Sequence, residues 1–233
     1  MLSSLKQELK SLANHEKAKQ LQRFFKTGKG QYGEGDIFLG IIMPVQRKVA
    51  KKYDLNFNEI QELLDSKIHE QRMIGLLILM NKYKKSSLSK RDFGEKPTSW
   101  KEVTRTIKKD FLKKRQIFEF YLKNTKNINN WDLVDISCPH IVGDFLQREG
   151  TGILKHLAKS ENLWERRIAI VSTYNFIRKR SFGETLVISD MLLKDEHDLI
   201  HKAVGWMLRE IGKRNREVLE NFLKENYKIM PRT

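Results

Sequence analysis

Only one cysteine, Cys138, occurs among 233 residues. A lone thiol excludes an internal disulfide and fits a reducing, cytoplasmic setting. It has no Cys/His cluster around it, so it builds no structural zinc site, and a small buried thiol is its expected role. Proline (4) and glycine (13) are scarce as well, which leaves little to interrupt helices. Long apolar runs are missing: the longest, over 74–80, falls far short of the ~20 residues of a spanning helix. The opening residues are amphipathic and lack the unbroken apolar core of a signal peptide. No stretch alternates with period two for long enough to read as a sheet. A secreted disulfide scaffold, a helical membrane protein and a β protein are thereby excluded, and an all-α protein of the cytoplasm is expected.

Several site chemistries are missing too. The sequence has no His-Glu-x-x-His, no phosphate loop of the Gly-x4-Gly-Lys-Ser/Thr type and no His-x-Asp ligand pair. Gly28, Gly30, Gly33, Gly35 and Gly40 lack the strand and helix flanks of a dinucleotide site and read as loop glycines. His197 and His201 stand at i, i+4 beside Asp195, Glu196 and Asp198, a spacing that can hold a metal. Acids favoured by the dipole of a helix start account for the same pattern. Neither a metal nor a cofactor is expected.

Cations are abundant. Lys and Arg outnumber Asp and Glu by 45 to 29, a net charge of +16, while 39% hydrophobic content is enough for a core. The length suits one domain over 1–233. A polyanionic partner is indicated, with nucleic acid ahead of an anionic membrane; a basic surface kept for solubility is the blander alternative. The charge is uneven: residues 84–115 carry twelve Lys/Arg against four Asp/Glu. Their first part, 86–99, reads as a surface loop and the rest as a cationic helix.

Apolar residues at three-to-four spacing predict one long or two abutting helices over the first 26 residues, then a glycine loop over 28–43. Pro44 suits the start of the next helix. Helical periodicity resumes over 57–66, 70–85, 101–124, 130–147, 152–159, 163–180, 183–194, 197–213 and 216–226, with Pro139 expected to kink or split its helix. Phe24, Phe25 and Phe38 are expected in the core or as loop anchors, and Trp100 and Trp164 as anchors of helix starts. Three helices place a cation three residues before a small residue: Arg72 before Gly75, Arg166 before Ala169 and Lys202 before Gly205. Asp135 before Cys138 is a fourth case, with an acid in the cation's place. That is the signature of helix-pair repeats whose helices approach at small residues, with the cations on one side. The expected architecture is an α-solenoid of stacked antiparallel helix pairs with a basic concave face.

One segment stands out against this background: Asn129-Asn130-Trp131-Asp132-Leu133-Val134-Asp135. On a helix, Trp131 and Asp135 share a face one turn apart. A carboxylate repels a phosphate backbone, but it suits a ligand that carries or develops positive charge. The spacing alone is also met by a half-buried Trp beside a solvated or capping acid.

The chain resembles the AlkD-type DNA alkylation repair family, DNA N-glycosylases built from HEAT-like repeats. Four segments carry the resemblance: Tyr32-Gly33-Glu34-Gly35-Asp36-Ile37-Phe38-Leu39-Gly40 with Pro44 and Arg47; the Trp131 segment; Trp164-Glu165-Arg166-Arg167-Ile168-Ala169-Ile170; and Lys202-Ala203-Val204-Gly205-Trp206-Met207-Leu208-Arg209-Glu210. The resemblance implies a catalytic cluster of Trp131, Asp135, Arg167 and Trp206, with DNA contacts from Arg209, Arg47, Lys202 and Arg166. It implies release of positively charged N3- or N7-alkylated purines from duplex DNA by a monomeric, monofunctional enzyme. Arg167 would grip a phosphate near the lesion. At Ile42-Met43-Pro44 the chain is apolar where the family often has a polar residue. A non-catalytic HEAT-like scaffold for branched or bent DNA is the alternative; Asp135 among cations favours the glycosylase.

Overall fold

Asparagine marks many of the helix starts. Asn14, Asn56, Asn162 and Asn215 each accept a backbone N–H of the following turn through the side chain, satisfying a donor that the helix itself leaves unpaired. At Asn56 the arrangement is reciprocal. Asn56 Oδ1 accepts from the Glu59 N–H at 3.0 Å, while the Glu59 carboxylate accepts from the Asn56 N–H at 2.9 Å. The structure, a computed structural model, describes residues 1–86 and 100–231. The loop expected over 86–99 therefore lies, beyond Ser86, outside the described residues.

The described chain is all-α and divides into two compact units, Met1–Leu133 and Val134–Thr233. The first holds α1 (Leu2–Ser11), α2 (His15–Phe24), α3 (Met43–Lys52), α4 (Phe57–Leu64), α5 (His69–Lys85) and α6 (Trp100–Lys123). A 3-10 turn, Thr125–Asn127, leads to α7 (Trp131–Cys138), within which the boundary falls. After a π-helical turn, Pro139–Gly143, the second unit continues with α8 (Asp144–Glu149), α9 (Gly152–Ala158), α10 (Leu163–Ser172) and α11 (Tyr174–Arg178). It ends with α12 (Gly183–Leu192), α13 (Asp198–Gly212) and α14 (Arg216–Asn226). Pro139 thus perturbs its helix by widening one turn rather than by ending it.

Helix α5 is the centre of the first unit. Every residue from His69 to Met80 is buried, because α3, α4 and α6 pack around it; a helix enclosed in this way needs no polar face. Gly75 permits the approach of α4, since a Cβ there would lie 3.3 Å from that of Leu63. The glycine loop before α3 is pinned to the start of α5 by Glu70. Its buried carboxylate accepts the N–H groups of Leu39, Gly40 and Ile41 at 2.9, 2.8 and 3.2 Å. Gly40 is required: its φ is +80°, and a Cβ would meet the Asn14 carbonyl oxygen at 2.2 Å.

The internal repeat becomes a definite hydrogen-bond motif. Ser66 Oγ accepts the Ile68 N–H at 3.0 Å, and the Ser66 carbonyl accepts from Arg72 at 2.8 Å. Ser160 Oγ accepts the Asn162 N–H at 3.1 Å, and the Ser160 carbonyl accepts from Arg166 at 3.0 Å. Asp195 Oδ1 accepts the His197 N–H at 2.9 Å, and the Asp195 carbonyl is met by His201 Nε2. In each case the side chain six positions on returns to close the start of its own helix. Two of the three repeat cations, Arg72 and Arg166, are the side chains that return, and in the third helix His201 does so in place of Lys202. Arg72 and Arg166 turn back onto these carbonyls and pair with Asp36 and Asp195, each at 2.6 Å, while Lys202 pairs with Asp198 at 2.7 Å.

Candidate functional site

Asn130 Oδ1 accepts the Trp131 N–H at 2.8 Å where α7 begins, and Asp132 puts an acid in its first turn, where the helix dipole favours one. Four residues of helix rise by about 6 Å. Trp131 and Asp135 therefore project from successive turns of one helix, as the spacing predicts.

In the first unit Trp131 is half-buried on an aromatic stack. Its ring lies 5.2 Å from Phe25, nearly parallel, and Phe25 lies 5.0 Å from Phe38. Phe24 meets Trp131 edge-on at 5.9 Å and is 63% exposed, so of the three phenylalanines expected inside, it is the one that stays outside. Trp164 is buried, and Trp100, the first residue of α6, is 86% exposed.

The stack continues into a buried histidine. His69 lies 4.5 Å from Phe38 and 5.1 Å from Phe25. Its Nε2 is 2.8 Å from Asp132 Oδ2 and its Nδ1 is 3.4 Å from Asp36 Oδ2, which also accepts from Arg72 at 2.6 Å. Burial pulls the His69 pKa down, but the Asp132 charge and the bonds to Asp132 and Asp36 outweigh it and hold the pKa at about 8. Burial likewise pushes Asp36 up, and His69 and Arg72 together bring it below the ordinary carboxylate value.

In the second unit Asp135 is gripped by Arg167. Arg167 Nε donates to Oδ1 at 2.9 Å and Nη2 to Oδ2 at 2.8 Å, the bidentate geometry of a strong charge-assisted pair. The third nitrogen, Nη1, donates to the Leu199 carbonyl on α13. Arg167 is buried, whereas the Asp135 side chain keeps 19% of its surface exposed. The guanidinium expected to grip a phosphate is thus turned onto the acid, which it orients. One turn further along α7, Cys138 is fully buried, and burial pushes its thiol well above the ordinary range. That is the inert thiol expected.

Trp206 is two turns beyond Leu199 on α13, half-buried, with its ring 6.1 Å from Tyr174. Arg214 in turn covers the other ring of that pair, 5.9 Å from the Tyr174 centroid. Of the expected DNA contacts, Arg47 and Arg209 are exposed on α3 and α13. Lys202 is exposed and paired with Asp198; Arg166 is half-buried, with Asp195 and the Ser160 and Glu161 carbonyls as acceptors. His197 caps α13 by accepting the Leu199 N–H at 3.1 Å, which with the His201 bond accounts for the histidine pair. A cleft of about 320 Å³ lined by Lys82, Lys85, Lys113 and Asp54 lies at the far end of α5 from His69. His69, Asp36 and Tyr174 are the residues that sequence reasoning missed.

Comparison with known proteins gives this geometry a family. No curated protein matches the chain. A solved structure described as a predicted DNA alkylation repair enzyme from Enterococcus faecalis is similar to it, with a TM-score of 0.59 at 18% identity. The match covers 91% of this chain and 89% of that one. The structure of smu.31 from Streptococcus mutans UA159 is similar over 96% of this chain and 89% of its own, with a TM-score of 0.52 at 16% identity. At such identities the likeness shows the fold. The family model of DNA alkylation repair enzymes matches residues 5–233, nearly the whole chain, and the chain belongs to that family.

Proposed function

We propose that this protein is a monofunctional DNA N-glycosylase that releases positively charged N3- and N7-alkylated purines from duplex DNA. The observation that carries the reading is Asp135. In a chain of net charge +16, a partly exposed carboxylate is oriented by a buried arginine, one helical turn from a half-buried Trp. A protein that only held phosphates would gain nothing from an acid so carefully fixed. The repeated helix-start motif supports the HEAT-like reading of the helices.

Alkylation at N3 or N7 makes the purine cationic, which weakens the bond to the deoxyribose and makes the base a good leaving group. As that bond breaks, positive charge passes to the sugar. Asp135 stabilises the oxocarbenium-like transition state and orients the attacking water; a charge fixed in advance needs no reorganisation at the moment of reaction. Trp131 and Trp206 offer electron-rich faces to the nucleotide, contacts of roughly 0.5–2 kcal/mol each. Arg167 holds the carboxylate in place, while Arg209 and Arg47, with Lys202 and Arg166 closer to their acids, face the DNA backbone. No lysine stands out as a Schiff-base nucleophile, so the strand stays intact after base loss.

The deciding experiment is release of 7-methylguanine and 3-methyladenine from alkylated duplex DNA by the purified protein. Release is expected for both. Binding of bent or branched DNA without release of either base makes the chain a scaffold instead.

A further inference from the structure

We propose that His69 is a positioning residue for Trp131: bonded to Asp132 through Nε2 and to Asp36 through Nδ1, it holds the first turn of α7 against the aromatic stack and releases it when the ring loses a proton. The proposal rests on the reading of Trp131 as part of the reactive site.

The geometry itself demands the proton. A neutral imidazole has one N–H and one lone pair, yet both ring nitrogens of His69 face carboxylate oxygens, at 2.8 and 3.4 Å. Only the imidazolium donates to both. Charge balance agrees. Asp36 and Asp132 bring two negative charges, and Arg72 and the imidazolium bring two positive ones; loss of the proton leaves a net negative charge among largely buried groups. Among the described residues no further ion pair is made to the ring. Phe25 at the end of α2 and Phe38 from the glycine loop cover it, and Glu70, its neighbour on α5, is turned to the N–H groups of Leu39, Gly40 and Ile41.

The link to Trp131 is short. Asp132 is the next residue along the chain and sits in the same first turn of α7. On the other side, Trp131 rests on Phe25, which touches His69 at a ring distance of 5.1 Å. The histidine therefore supports the indole twice, through the backbone at Asp132 and through the ring stack. Deprotonation replaces the strong bond to Asp132 by a weaker neutral one, or turns a lone pair towards a carboxylate, and the first turn of α7 loosens.

The test uses the full chain and reads titration, helix protection and chemistry separately. The imidazole resonance of His69, identified by its loss in His69→Gln, should titrate at about 8. Protection of the first-turn amides of α7 against hydrogen exchange should fall through the same transition. Single-turnover release of 7-methylguanine should follow it too. In His69→Gln the rate should be about tenfold lower, as for a slight misplacement of a reacting group, and lack that titration. Asp132→Asn should move the His69 titration down and lower the protection of α7; if His69→Gln does not fold, this variant decides. Titration of His69 at or below its ordinary value of 6.5, or a pH profile of α7 protection unchanged by the substitutions, overturns the proposal. If the wild type releases no alkylpurine at any pH, the glycosylase reading fails, while titration and amide protection still decide the role of His69.

Discussion

Trp131 and Asp135 are one turn apart on α7, yet the two compact units support them with opposite kinds of chemistry. In the first unit the indole rests on hydrocarbon rings, and behind them lies a histidine whose pKa is held at about 8. In the second, the carboxylate is held by a guanidinium. The aromatic support tolerates small displacements, because stacking is broad in distance and angle. The ionic one does not, because two parallel hydrogen bonds fix both position and plane. The contrast teaches that the residue carrying charge is the one anchored rigidly.

The largest effect should come from breaking the ionic support. Arg167→Ala leaves Asp135 without its bidentate partner and removes the donor to Leu199, and should destabilise the fold by about 3 kcal/mol in denaturant unfolding. It should change the salt slope of DNA binding little, since the guanidinium is turned onto Asp135; a loss of roughly 0.9 in that slope would return Arg167 to the phosphate role expected from the sequence.

Asp135→Asn keeps shape and removes charge. Single-turnover base release should fall by about 100-fold or more, with binding to undamaged DNA equal or tighter. Excision at the wild-type rate would rule out the charge mechanism.

The aromatic side should respond to pH. His69 has its pKa at about 8 against an ordinary value of 6.5. A raised pKa means that the folded state binds the proton more tightly than the unfolded chain. The stability it contributes is complete below about pH 6.5 and is lost as pH rises through about 8, an effect of about 2 kcal/mol. Unfolding measured across this window should show the loss in the wild type and not in His69→Gln. Asp36 acts at the other end: its lowered pKa contributes stability that disappears as pH falls through the folded value.

The smallest effects belong to the surface. Arg209→Ala and Arg47→Ala should each reduce the salt slope of DNA binding by about 0.9 and leave folding within about 0.5 kcal/mol. A slope unchanged in both would remove these two arginines from the DNA-facing surface.

The helices were legible because their information is local. Periodicity predicted helix over 101–124 and 216–226, and the structure has it at Trp100–Lys123 and Arg216–Asn226. Glycine 40 and the buried Cys138 were legible for the same reason. The cation three residues before a small residue was visible as a pattern, but its meaning was not, since the acceptor is a carbonyl six positions upstream and carbonyls leave no mark in a sequence. The His69 cluster was invisible for a different reason. Its partners are 33 and 63 positions away, and nothing in the spacing of His69, Asp36 and Asp132 says that a loop, α5 and α7 converge. Phe24 was misjudged because size and hydrophobicity alone suggest burial, while it is 63% exposed.

The widened turn at Pro139–Gly143 bears on how α8 keeps its buried face. A π turn is what a single inserted residue leaves in a helix that absorbs it without unwinding. Removal of one residue there would restore regular winding and leave Phe145 and Leu146 on the face on which they are now buried, because the wide turn takes up the rotation of one residue, about 100°. The turn is therefore a place where one residue can be lost while the apolar pattern beyond it keeps its face. Loss of a second residue has no wide turn left to absorb it, and would rotate α8 by about 100° about its axis.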